Sequence, residues 1–131
     1  VAASVAALVV ISVVQFLMHG VLLTGVYQRS AAAFRQGPEA FRLFWLFYVG
    51  YLVFAFLFTF IYTKGYERDR GGLTQGLRFG LYVGLMIGAL ESLVWYVVLP
   101  VPATLAACWF VAYVVMALAA GATVGALYHE R

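Results

Sequence analysis

A carboxylate and an imidazole stand inside otherwise apolar sequence: Glu91 within GLMIGALESLVWYVV, and His19 within VVQFLMHGVLLTG. A carboxylate in hydrocarbon is costly, so Glu91 must face other helices, pair with a partner or take up a proton. The chemistry open to these two groups is proton or cation handling, with Glu91 as the titrating group. Counting inward from the ends of the apolar stretches at ~1.5 Å per residue puts both groups about 12 Å inside one boundary. His19 is eight residues before Tyr27, and Glu91 is eight before Leu99. The same count reaches Tyr51 and the neighbourhood of Tyr113, with Ser92 adjacent and Gln15 one turn deeper than His19. Tyr51 and Tyr113 are therefore the expected hydrogen-bond partners. The structural alternative is that Glu91 and His19 form a polar clasp locking the first membrane helix to the third.

These groups need elements to hold them. With 131 residues, 66% of them hydrophobic and 10% charged, the composition is that of an integral membrane protein. Four apolar stretches are long enough to cross a ~30 Å hydrocarbon core, at about residues 3–27, 43–63, 73–99 and 103–128. Between the first two, Gln28 to Arg42 interleaves Arg29, Arg35, Glu39 and Arg42 with Ala31, Ala32, Ala33 and Phe34, and contains Gly37-Pro38. A short interfacial helix followed by a turn is expected there. The other connections are the charged turn KGYERDR and the rigid corner Pro100-Val101-Pro102. The expected fold is an all-α membrane protein, an antiparallel bundle of four transmembrane helices in a single domain with short loops.

Packing has its own signature. Gly76, Gly80, Gly84, Gly88 and Ser92 recur every fourth residue and make one flat groove on the third span. Ala117, Gly121 and Gly125 make a second small-residue stripe on the fourth. The second span is crowded with rings from Phe44 to Tyr62, a shape complementary to the groove, so this helix is expected to pack against it; the alternative is that its rings face lipid and headgroups. The groove could also receive a lipid tail, a quinone or a pigment ring. Trp95, Tyr96, Trp109 and Phe110 near the proline corner are expected to form an interfacial aromatic belt.

The eight basic residues set orientation. Lys64, Arg68, Arg70, Arg78 and Arg131 lie on one side, against Arg29, Arg35 and Arg42 on the other. The positive-inside rule then puts both termini in the cytoplasm. Lys64, Arg68, Arg70 and Arg78 are expected at the headgroups, in contact with anionic lipid or paired with Glu67 and Asp69. There is no clustered basic face for nucleic acid. Cys108 is the only cysteine, which rules out an intrachain disulfide and a thiolate metal cluster within one chain. Haem is disfavoured, because His19 and His129 belong to opposite ends of the bundle. No phosphate loop, catalytic triad, HExxH or CxxC occurs, so no catalytic residue is assigned and the chain is expected not to be an enzyme.

The segments HGVLLTGVY, FTFIYTKGYE and GLRFGL, with P-x-P followed by Trp109, resemble a family of small bacterial four-helix membrane proteins. That resemblance covers most of the chain and implies four spans in a bacterial inner membrane. Members are of unassigned function, so it implies no activity and carries over no catalytic residue.

Three functions fit these residues. The first is a non-enzymatic membrane subunit, packing through glycine and aromatic faces in a homo-oligomer or with other subunits. The second is a small proton- or cation-coupled transporter or channel using Glu91 and His19. The third is a module binding lipid, quinone or pigment; no cofactor is otherwise predicted.

Overall fold

The computed structural model describes residues 1–128; the closing His129, Glu130 and Arg131, expected at the membrane surface, lie outside the described residues. Helix α1 (Ala2–Gln15) runs directly into a seven-residue π-helix, Phe16–Leu22, and α2 (Thr24–Arg29) follows. After a 3-10 turn at Ala31–Ala33 come α3 (Gly37–Leu43), α4 (Trp45–Lys64), α5 (Gly72–Val98) and α6 (Ala103–Leu127). Four helical stretches, Ala2–Leu22, Gly37–Lys64, Gly72–Val98 and Ala103–Leu127, are long and apolar enough to cross a membrane. The protein is thus an all-α, four-helix membrane protein, with no strand among the described residues.

The connection after the first span differs from the expected interfacial helix. Between Arg29 and Gly37 only the 3-10 turn forms, and Gly37-Pro38 starts helix α3 instead of breaking one. The reason is positional: Pro38 sits in the first turn of α3, where its fixed φ suits a helix and its missing N–H is not needed. Gly37 itself has φ +63°, a left-handed conformation that a side chain would strain.

Helix α6 is the centre of the bundle. Of its most apolar stretch 44% is buried inside the protein, against 17% for each of the other three. It packs along α5 on one side and α1 on another, while α4 leans mainly on α1. Beside the α1–α4 junction an apolar groove opens, lined by Val9, Val13, Tyr48 and Leu52 among others. Near the other end, α4 reaches the rest of the bundle through Phe58 and Tyr62. Their rings lie 4.6 and 5.7 Å from that of Phe79 on α5.

The glycine groove is filled by α6, not by the rings of α4. Down the antiparallel α5–α6 hairpin, Gly72 faces Gly125, Gly76 faces Gly121, Gly80 faces Ala117, Gly84 faces Val114 and Gly88 faces Phe110. A methyl on Gly76 would fall on the Gly121 carbonyl oxygen and 2.9 Å from Gly125 Cα. Two flat faces bring the backbones together and gain close van der Waals contact over their length, which bulky rings on one side would prevent.

Candidate functional site

Sequence counting places the polar residues at one level but leaves open which way they turn, and here the expected pairing fails. His19 does not meet Glu91. It sits in the middle of the π-helical segment, a rare geometry often found at functional positions. Its Nδ1 lies 2.7 Å from the Tyr27 hydroxyl, and the Trp109 indole Nε1 donates to that same hydroxyl at 2.6 Å. An indole N–H can only donate, so Tyr27 accepts from Trp109 and has its own proton left for His19 Nδ1. This arrangement assigns the imidazole proton to Nε2. Phe34 closes the cluster, with its ring 5.3 Å from Tyr27 and 6.3 Å from Trp109. A clasp therefore exists, but it ties the first span and its extension to α6 instead of tying the first span to α5.

Glu91 lies one turn beyond Gly88 on α5, half-buried. The Trp95 indole Nε1 donates to its Oε2 at 2.7 Å, a bond within the same helix. Among the described residues Glu91 makes no ion pair; the bridges there are Arg35–Glu39, Arg70–Glu67 and Arg78–Glu67. Across the hairpin, Tyr113 approaches Gly88 and lies within reach of the Glu91 charge, as well as near Tyr51 and Tyr27. Tyr51 rests against the Gln15 amide. Gln15 and Ser92 are both buried, and neither Gln15 Oε1 nor Ser92 Oγ finds a partner. So Tyr113 lies on the Glu91 side, Tyr51 and Gln15 keep to each other, and neither tyrosine is the hydrogen-bond partner of His19. Ser92 faces α6 along the groove instead of joining the carboxylate.

Of the four aromatics expected at a belt, Trp109 is the exception: it is 7% exposed, whereas Trp95 and Tyr96 remain 45% and 43% exposed. Its indole is drawn inside by the bond to Tyr27.

The charged turn after α4 is built, not loose. Gln75, buried at the start of α5, donates from Nε2 to the carbonyls of Glu67 and Arg70 and accepts the Glu67 N–H, each at 2.8 Å. Arg70 and Arg78 converge on the Glu67 carboxylate at 2.7 and 3.1 Å, and Lys64 lies over the Phe60 ring at 5.1 Å. Arg68 is exposed. The Tyr62 hydroxyl donates to the Gly72 carbonyl at 3.1 Å, and the Tyr66 and Tyr128 rings pack beside it. Gln75, Tyr27 and the π-helix are the functional-region features that sequence reading passes over. A lone glutamine and a span-end tyrosine carry no spacing signal, and π geometry has no residue code.

No group of three or more metal-ligating side chains occurs among the described residues. Comparison with family models, with curated proteins and with solved structures finds no match.

Proposed function

We propose that this protein binds or carries a positively charged species, a proton or a cation, across or within the membrane, with Glu91 as its charged group. The single observation behind this reading is that Glu91 holds nothing together. A charge at the middle of a membrane helix costs about 2.5–3.5 kcal/mol on insertion scales. Here its one strong bond is to Trp95 on its own helix, and no cation offsets it among the described residues. A carboxylate kept as a helix-to-helix clasp would have a partner on another helix. Tyr113, across the hairpin on α6, supplies a polar neighbour from another helix for a group that loads and unloads. The test is pH-dependent flux in liposomes, which Glu91→Gln should abolish while the protein remains folded. The orientation in this reading follows the basic-residue count, with both termini cytoplasmic in a bacterial inner membrane.

A second reading, a non-enzymatic subunit of an oligomer or larger complex, is favoured by α4. Both glycine stripes are used inside the protomer. What remains for a partner is the aromatic face of α4, where Trp45, Phe47 and Tyr48 are all exposed. Native mass spectrometry from mild detergent tests it: a dispersed monomer with no co-purifying protein would count against it.

A further inference from the structure

We propose that a cleft between the ends of α5 and α6 nearest the proline corner binds a lipid-soluble molecule of the quinone class, a flat ring whose carbonyl oxygen accepts a hydrogen bond from Ser92. The cleft follows from how the glycine face ends. A Cβ on Gly72, Gly76 or Gly80 would fall on a carbonyl oxygen of α6, whereas one on Gly84 would come 2.9 Å from Val114 Cα and one on Gly88 3.1 Å from the Phe110 ring. The helices thus draw apart toward the proline corner. Beyond Gly88 the facing residues of α6 are alanines apart from Phe110, too small to fill the widening gap. A volume of about 390 Å³ opens there, walled by Ser92, Leu93 and Tyr96 on α5 and by Ala103, Ala107 and Phe110 on α6 among others. Small-molecule sites begin at about 300 Å³.

Ser92 is the polar mark in this cleft. It is 3% exposed, and its Oγ has no hydrogen-bond partner. Ser12, Thr24, Thr59 and Thr123 each donate to the helix carbonyl four residues back, at 2.8 Å. Ser92 makes no such bond to Gly88, and a buried hydroxyl left without a partner is costly. A water would need about two to four polar partners, and around Ser92 the walls are alanine, leucine and phenylalanine. The occupant that fits is mostly carbon, with one acceptor. Ser92 lies six residues before Val98, the end of α5, and so ~9 Å inside the boundary, while the ester carbonyls of phospholipids stay in the interfacial layer. The acceptor therefore belongs to a molecule dissolved in the hydrocarbon core, and the rings of Phe110 and Tyr96 in the walls suit a flat one. Glu91 does not line the cleft, so this site is separate from the proposed cation site.

The experiment is a titration of the purified full chain in mild detergent with a ubiquinone carrying one isoprene unit, read by quenching of tryptophan fluorescence and by equilibrium dialysis. Wild type should bind saturably. Ser92→Ala should bind about two- to tenfold more weakly, the loss of one hydrogen bond. Its unfolding transition should stay at or above that of wild type, because no protein partner is lost. Ala107→Leu, at an exposed cleft position outside the core, should abolish binding. No saturable binding by wild type, or binding unchanged in both variants, overturns the proposal. Unchanged binding by Ser92→Ala with loss in Ala107→Leu overturns the carbonyl assignment and leaves the cleft to an acyl chain. A Ser92→Ala protein that loses stability along with binding also overturns it, the hydroxyl then having a partner within the bundle.

Discussion

Gly76 and Gly121 stand so close across the α5–α6 hairpin that each occupies the other's missing side chain. A Cβ on either would fall on the carbonyl oxygen of its partner. The four-residue glycine spacing is thus a matter of backbone contact within one protomer, and α6 reaches its central position through it.

Gly76→Ala or Gly121→Ala should therefore destabilise the protein by about 1–3 kcal/mol, because the added methyl meets backbone and not a movable side chain. Gly50→Ala, at a position on α4 with open space around it, should be neutral or stabilising by up to ~1 kcal/mol. Unfolding in mixed detergent micelles measures both; equal effects at the two sites would contradict the packing described.

Tyr27 is the shared member of the clasp, so Tyr27→Phe should cost more than His19→Phe. It breaks two hydrogen bonds and strands the Trp109 indole N–H, at about 0.6–1.7 kcal/mol for each bond. Trp109 fluorescence should shift on Tyr27→Phe, and an unchanged spectrum and stability would show that the clasp does not form.

Because His19 bonds to Tyr27 and Glu91 to Trp95, the two should be energetically independent. A double-mutant cycle with His19→Gln and Glu91→Gln should close within about 0.5 kcal/mol. A larger coupling would restore the direct pairing that depth counting suggested.

Gln75 holds the α4–α5 turn by three bonds. Gln75→Leu should speed hydrogen exchange at the Glu67 amide and tryptic cleavage after Arg68 and Arg70, with little change in the spans. Unaltered exchange at Glu67 would mean that the ion pairs to Arg70 and Arg78 suffice alone.

How much of this was legible in the sequence follows from what spacing encodes. Apolar length gave the four spans, and the interval of four gave the flat face on α5. That the face meets α6 and not α4 was harder to read. A flat face can be matched by rings or by a second flat face, and Ala117, Gly121 and Gly125 were visible as a stripe without any mark of what they touch. His19 and Glu91 mislead for a related reason: residue counting measures depth along a helix and carries no angle around the bundle. The π-helix turns His19 further, since five-residue hydrogen bonding rotates every residue after it. Gln75 acts through backbone groups of a turn, and nothing in a single glutamine announces that.

The most direct test of the central claim is ion flux through the purified protein in liposomes, wild type against Glu91→Gln, with an imposed pH gradient and folding checked by the unfolding transition. Wild type should show flux that depends on pH, and the variant should show none while its stability holds. Equal flux in both proteins, or none in either, would contradict it and leave the subunit reading carried by the exposed face of α4.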